Sequence, residues 1–515
     1  MPHRDRKRWT VLIYMVADDP QGGELLDQQA VREMDEITKA AMSEETRKHL
    51  NVALQVDFRT LPGVWRRVIG ETTFVRPEGN AADPATLYGF FEWAARECPA
   101  DHYVLIFWGH SRGQFGMFGD SDPFDYTAQT LTLDELGEAL KAAKRSLEKP
   151  VDIIAFKDCF MATLETAYEL GGLADYLLAS PSLVPVEGWP YDDMFAALAR
   201  DDGGPRVEAE QLLDALEQHY AKRPVPPGEV LKEVPYSLLS TRGAIAAVKK
   251  LGALVGEKRT DASQMDEVVL RERLDKAVAA EGDPALVDLG ALRPTASVGR
   301  KQQAATNVFN DFLETLGNVK RLPAGKRPKV SKPKVGEDEP LVISHTGREI
   351  GGASLFLYPS SPKGQRDSLL TRLADEKAYR RLAISTDTRW ADIALQSMPL
   401  PPARAQSDAS AAIAAFEQLQ RVGLGMAPSS AATANVYLRG LLSRSKSGSL
   451  TDLDLAQAAE YSAIAELSAR LAAFAAKKGG DGFVKGGDGF VKGGDGFVDK
   501  GGDGGKGGDG FVSRR

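Results

Sequence analysis

The sequence predicts an α/β fold, a mostly parallel sheet sandwiched by helices, followed by an all-α C-terminal appendage and a Gly-rich tail. Three observations predict it. Within the first 200 residues, short apolar runs alternate with stretches of helical apolar spacing, as parallel strands joined by crossover helices require. Two of those runs, Val104-Leu-Ile-Phe-Trp-Gly-His110 and Val151-Asp-Ile-Ile-Ala-Phe-Lys-Asp-Cys159, each stop at one chemically capable residue, with room for a helix between them. Beyond residue 411 the composition turns to Ala and Leu, and beyond 477 to a repeat built from Gly, Asp, Phe and Val.

The elements follow in order. Residues 11–16 form a buried strand, and 24–41 an amphipathic helix with its apolar stripe at Leu25, Leu26, Val31, Met34 and Ile37. A second strand covers 51–58 and a hairpin 64–74. A helix over 84–95 starts at Pro84, with Asp83 as its cap. The strand ending at Trp108 leads to a helix over 132–146 opened by a capping box, Thr132 with Glu135. The strand 151–156 is followed by a helix over 160–170 that begins directly after Cys159, and a short strand covers 176–179. Residues 206–317 read as mainly helical, interrupted at 234–240. The proline-broken segment 319–339 is basic, then acidic, and reads as an exposed mobile loop. Strands return at 341–344 and 353–358, and a helical stretch over 378–396 closes the domain.

The organisation is therefore one domain over 9–396, a linker at 399–410, a helical appendage over 411–476 and a tail over 477–515. In the tail, Lys478-Gly-Gly-Asp-Gly-Phe-Val484 recurs at 485 and 492. So many glycines and aspartates cannot bury enough apolar surface to offset chain entropy, so disorder is expected. The nonapeptide spacing of a calcium-binding β-roll is absent.

Bulk properties exclude several functions. At 515 residues, 43 % hydrophobic and 26 % charged, the chain has an ordinary globular composition. A net charge of −8 with no sustained basic stripe argues against nucleic-acid binding. No apolar run approaches the ~18 residues of a membrane span. The first strand runs straight into Asp18-Asp19-Pro20 with no small-residue cleavage site, so a cytoplasmic location is expected. Two cysteines, Cys98 and Cys159, allow neither a disulfide framework nor a Cys-based zinc site, and the six histidines lack ligand spacing. No cofactor is required on this reading; calcium, at Asp18 and Asp19 or on the tail, is the one metal left open.

A lone cysteine after a strand is usually a small core residue. Parallel strands, however, set His110 and Cys159 along one edge of an open sheet, where ligands of α/β folds bind. There a thiol and an imidazole form an activated nucleophile.

The flanks of both strand ends extend this pattern. Trp9-Thr-Val-Leu-Ile-Tyr-Met15, Val52–Arg59, Asp158-Cys-Phe-Met161 with Glu165-Thr-Ala-Tyr-Glu169, and Leu178-Ala-Ser180 through Gly188-Trp189-Pro-Tyr191 resemble, in order, the clostripain-like cysteine peptidases, bacterial relatives of the caspases. Tyr236–Ser240, Gly352–Pro359 and the Trp390 segment fit later parts of that domain. The resemblance implies a caspase-like fold and an endopeptidase that cleaves proteins or peptides after basic residues. It implies His110 as general base, Cys159 as nucleophile, and the N–H groups of Gly109 and Cys159 as oxyanion donors. Glu187 is its candidate pocket acid, as is Asp158 unless strand alternation turns it to the other face; Trp189 reads as a pocket wall or a core residue, and Asp18, at the same sheet edge, as a residue of the substrate groove or of a solvated turn. It also implies regulated proteolysis, through self-cleavage or an activating partner or ligand, with bacterial defence as one setting.

Two departures stand out. Ser111 and Arg112 follow the histidine where the family has glycines, and Lys157 stands where it has a pocket carboxylate. If Lys157 reaches into the pocket, the preference shifts towards acidic or small side chains. These changes also motivate the alternative of a caspase-like scaffold that has lost turnover and works by binding.

Overall fold

A computed structural model describes residues 6–395, apart from 19–22, 78, 121–128, 201–202, 224–232, 257–269, 271–278, 281–282, 293–306, 321, 323–338, 349 and 358–376. The appendage, the repeat tail and most of the 319–339 loop lie outside the described residues.

The strands are β1 (Lys7–Val16), β2 (Leu50–Asp57), β3 (Val64–Val68), β4 (Phe74–Val75), β5 (Ala100–Trp108), β6 (Met117–Asp120), β7 (Gln129–Leu131), β8 (Val151–Lys157), β9 (Ala174–Ala179), β10 (Ser237–Ser240), β11 (Ala279–Ala280), β12 (Asp283–Asp288), β13 (Val342–His345) and β14 (Ser354–Phe356). The principal helices are α1 (Gly23–Ala41), α2 (Glu44–His49), α3 (Pro84–Glu97), α4 (Leu133–Ser146), α5 (Leu164–Glu169), α6 (Tyr191–Ala199), α7 (Pro205–Ala221), α8 (Thr241–Leu254) and α9 (Asn307–Thr315). Two short helices, α10 (Ala383–Asp387) and α11 (Trp390–Ala394), occupy the stretch read as helical near the end of the domain.

Nine strands form the main sheet in the order β13-β10-β9-β8-β5-β1-β2-β3-β4. The five central strands, β9 to β2, run parallel, and antiparallel strands flank them on both sides. Alternation along the strands builds two cores. Leu12, Tyr14, Leu105, Phe107, Ile154 and Phe156 face one, with residues of α3, α4, α5 and α8. Val11, Ile13, Val104, Ile106, Ile153 and Ala155 face the other, with residues of α1, α6 and α7. Burial on both faces explains why these strands read as unbroken apolar runs.

Local signals explain the helix starts. The Asp83 carboxylate accepts the Ala85 N–H at 2.8 Å, and Glu135 accepts the Thr132 N–H at 2.9 Å, as the cap and capping-box patterns require.

The structure departs from the sequence reading in three places. The stretch 206–317 is not mainly helical throughout: β11 and β12 join β14 in a separate three-stranded sheet. The buried stripe of α1 runs through Leu26, Ala30, Glu33 and Ile37, whereas Val31 is exposed. The helix after the cysteine starts at Leu164, not Phe160. Phe160 adopts φ 59°, and the Phe160 and Ala162 N–H groups donate to the Ser182 and Ser180 carbonyls. Those bonds hold 160–162 against the chain leaving β9, so the helix waits for its cap, Thr163, which accepts the Thr166 N–H.

Candidate active site

β5 and β8 are parallel neighbours with Trp108 opposite Lys157. Two residues beyond each partner lie His110 and Cys159, so the strand register itself sets imidazole and thiol at one level of the sheet's carboxyl edge. Both line a single cavity of about 360 Å³. Its walls come from the β5 and β8 ends, from 116–119, from Leu26 of α1 and from the segment Leu183–Val186 that leaves β9.

The two strand-end loops are joined directly. The Ser111 hydroxyl donates to the Cys159 carbonyl, and the Phe118 N–H donates to the His110 carbonyl at 2.7 Å. Gly109 is fixed by close approach: a Cβ there would lie 2.9 Å from the Phe118 ring and 3.1 Å from the Val16 carbonyl. Gly113 sits at φ 59°, where a Cβ would meet the Phe160 carbonyl at 2.8 Å. Ser111, one of the two residues that replace the family's glycines, thus ties the histidine loop to the nucleophile's own backbone.

The thiol is held by the facing wall. The Val184 N–H donates to Cys159 Sγ at 3.3 Å, and the Val184 carbonyl lies 3.9 Å from the same sulfur as acceptor. Burial pushes the thiol pKa up to about 11; nearby Asp158 adds to the rise, while the Val184 N–H and Lys157 oppose it. In this arrangement the sulfur is a neutral thiol at physiological pH.

The substrate-binding residues read from sequence are not brought to the cavity. Asp158 is buried behind it, and burial holds its carboxyl well above the usual range. The Gly109 N–H is turned towards that carboxyl and favours its charged form without meeting strict hydrogen-bond geometry. Gly109 therefore lines the cavity while its N–H faces Asp158, not the cavity. Glu187 is exposed and pairs with Arg223 at 3.4 Å. Trp189 is a core residue that donates to the Tyr236 hydroxyl at 3.3 Å. Asp18 is buried, with its N–H on the Asp57 carbonyl at 3.2 Å, and is not part of the cavity lining. Chain position explains three of these. Asp158 alternates with the lining residues Lys157 and Cys159 and so faces the other way, while Glu187 and Trp189 follow Val186, where the lining segment ends.

Sequence reasoning missed Glu33. It is fully buried on α1, and its Oε1 accepts Lys157 Nζ at 2.7 Å while its Oε2 accepts the Tyr191 hydroxyl at 2.6 Å. Lys157 also donates to the Val186 carbonyl at 3.0 Å and lies 5.3 Å from the Trp108 ring centre. The signal was present: with Leu26, Ala30 and Ile37, Glu33 falls on one helical face, and a carboxylate on an apolar face calls for a buried polar or charged partner. Taking Val31 as core rotated that face away from Glu33.

Among the described residues no group of three or more His, Cys, Asp and Glu side chains is arranged to hold a metal ion, and no helix is long and apolar enough to cross a membrane. The calcium expectation falls on Asp18, which joins no such group, and on Asp19 and the tail, which lie outside the described residues.

Clostripain from Hathewaya histolytica is 30 % identical over 165 residues, which make up 29 % of this chain and 30 % of that protein. The chain thus spans about a third of the length of this curated relative. Among solved structures, the chain is similar to a secreted C11 cysteine protease from Bacteroides thetaiotaomicron in complex with an irreversible peptide inhibitor, at 20 % identity, with 75 % of this chain and 99 % of that one covered and a TM-score of 0.49. It is also similar to an inactive zymogen C11 protease from Parabacteroides distasonis, at 17 % identity, with 75 % and 99 % covered and a TM-score of 0.48. The expected cytoplasmic location does not stand: a missing cleavage signal in one sequence does not assign a compartment, and the first of these structures is itself of a secreted protease. The clostripain family model matches residues 13–281, from β1 to β11 and through both strand ends, and the chain belongs to the clostripain family.

Proposed function

We propose that this chain is a cysteine endopeptidase in which Cys159 attacks a peptide carbonyl and His110 handles the proton. The observation that carries this reading is the placement of His110 and Cys159 in one cavity, two residues beyond a register-matched pair on adjacent parallel strands.

The thiol proton passes to the imidazole as Sγ bonds to the carbonyl carbon. The oxyanion is then held by a backbone donor, with the Cys159 N–H as the nearest available by position. Collapse expels the amine, which takes the proton from the imidazolium, and water hydrolyses the thioester with the imidazole again as base. Thr163, the cap of a six-residue helix, lies four residues beyond the sulfur. Helix-end charge falls off within a turn, so it contributes little to lowering the thiol pKa. Ionisation must come from the imidazole once the contacts to Val184 are exchanged.

Cleavage after basic residues is the preference the family resemblance implies. Among the described residues no carboxylate lines the cavity, and Lys157 and Arg112 are its lysine and arginine side chains. Regulation by self-cleavage or by an activating partner fits the neutral thiol of the free chain. A binding scaffold without turnover is the second reading, and the same protonated, wall-bound sulfur favours it.

A panel of fluorogenic peptides ending in Arg, Lys, Leu or Asp, tested with wild type and Cys159→Ala, separates the two. Turnover lost in Cys159→Ala supports the peptidase. No cleavage of any peptide, with the two chains alike and no covalent capture of a peptidyl halomethyl ketone at Cys159, sinks it.

A further inference from the structure

Lys157 sits in a cation site built from buried groups of the protein. Its side chain is 1 % exposed, and its Nζ sits on Glu33 Oε1 at 2.7 Å and on the Val186 carbonyl at 3.0 Å, with Trp108 beside it. A buried carboxylate, a carbonyl and an aromatic ring are the groups a pocket offers to a lysine or arginine side chain. Glu33 is itself fully buried and anchored through Oε2 by the Tyr191 hydroxyl, so the acid cannot swing away when its partner changes. Lys157 lines the cavity, and its buried partner Glu33 does not.

We propose that Lys157 is a built-in surrogate for a basic substrate side chain, so that the wild-type cavity selects uncharged side chains such as Leu or Met at the residue before the cleaved bond, while Glu33 is a concealed acid that would select basic ones if Lys157 were shortened. This rests on the peptidase reading for its consequences on cleavage, but not for the concealed cation site itself. A substrate cation entering the wild-type cavity would meet Lys157 and Arg112 and no described carboxylate. Displacing Lys157 would bury its ammonium unpaired, which is strongly unfavourable. An acidic side chain gains little, because the Lys157 charge is already neutralised at contact distance and Arg112 is solvent-exposed over the Phe115 ring, where a surface ion pair is weak. Side chains of Leu or Met type suit the remaining lining from Leu26, Trp108, Met117, Leu183, Val184 and Val186.

The test compares wild type, Lys157→Ala, Glu33→Gln and the double variant Lys157→Ala/Glu33→Gln. Cleavage of peptides ending in Leu, Met, Arg, Lys or Asp is measured beside the thermal midpoint with and without n-butylammonium. Wild type should prefer Leu and Met to Arg and Lys by about tenfold or more. Lys157→Ala should move the ratio towards Arg and Lys by on the order of a hundredfold, and n-butylammonium should raise its midpoint but not those of wild type or the double variant. Glu33→Gln, which uncovers Lys157, should move the preference towards Asp. Wild-type preference for Arg or Lys overturns the proposal. So does a Lys157→Ala chain that keeps the wild-type order and ignores n-butylammonium. If Lys157→Ala does not fold, the wild-type order and the direction of the Glu33→Gln shift decide. If no chain cleaves any peptide, the peptidase reading fails, while n-butylammonium binding by Lys157→Ala still upholds or refutes the concealed cation site.

Discussion

The raised thiol pKa makes a measurable claim about the free chain. Alkylation by iodoacetamide requires the thiolate, and with the pKa at about 11 against an ordinary 9.0 the folded site holds the thiolate back. That is about 3 kcal/mol, or a roughly hundredfold smaller thiolate fraction at neutral pH. The pH-rate profile of labelling, followed by intact mass at Cys159, should therefore climb about tenfold per unit from pH 7 to beyond pH 10 without a plateau. Cys98 is fully buried and should stay unlabelled in the native chain. The stability consequence has a fixed sign. A folded pKa above the unfolded one favours the protonated native state, so the contribution is full below about 9 and is lost as pH rises through about 11. A plateau already reached near pH 7 would show a preformed thiolate–imidazolium pair, and the account of a sulfur kept neutral by burial against Val184 would be wrong.

Further outcomes follow from single contacts. Gly113→Ala places a Cβ 2.8 Å from the Phe160 carbonyl at φ 59° and should lower stability in urea by about 1–3 kcal/mol; a loss under ~0.5 kcal/mol would mean that the loop is not pinned. Burial raises Glu165 to about 6, so its native state is favoured fully below about 4.5 and less as pH rises through 6. Glu165→Gln, compared with wild type in urea at pH 4 and 7.5, should therefore gain about 2 kcal/mol relative to wild type at the higher pH, and the opposite sign would refute it. Asp83→Ala removes the cap of α3 and should cost about 1 kcal/mol in the same measurement.

What sequence could supply depended on how local each signal was. β1, β5 and β8 were legible because strands buried on both faces are written as uninterrupted apolar runs. Asp83 and Thr132 were legible because a cap acts within three residues of itself. The start of α5 was not, because what delays it is a bond from Ala162 to Ser180, on the chain leaving β9. The same limit applied to the site. His110 and Cys159 each end their own strand and could be found separately. Asp158 was assigned to the pocket by its place in a motif, yet one residue's difference along a strand end sends it behind the sheet. Glu33 and Lys157 are 124 residues apart, and only the helix phase of α1 connects them.

The cavity's selectivity and the state of its sulfur share one segment. Val184 satisfies the thiol through its N–H and carbonyl, and two residues later the Val186 carbonyl is held by Lys157. The wall that shapes the cavity is thus the wall that keeps Sγ neutral, and it is fastened to α1 through the Lys157–Glu33 pair. On the peptidase reading, a peptide that seats against 183–186 must exchange the Val184 contacts before its carbonyl reaches the sulfur, which releases the thiol towards His110 only when a fitting side chain fills the cavity. Shortening Lys157 acts on both parts at once. It removes a positive charge that lowers the thiol pKa and cuts the tether of the wall. The electrostatic effect alone slows alkylation of the free chain at a given pH, whereas a loosened wall speeds it. Labelling Lys157→Ala by iodoacetamide across pH 7–10 separates the two by sign, because the charge effect lowers the rate throughout that range and a mobile wall raises it.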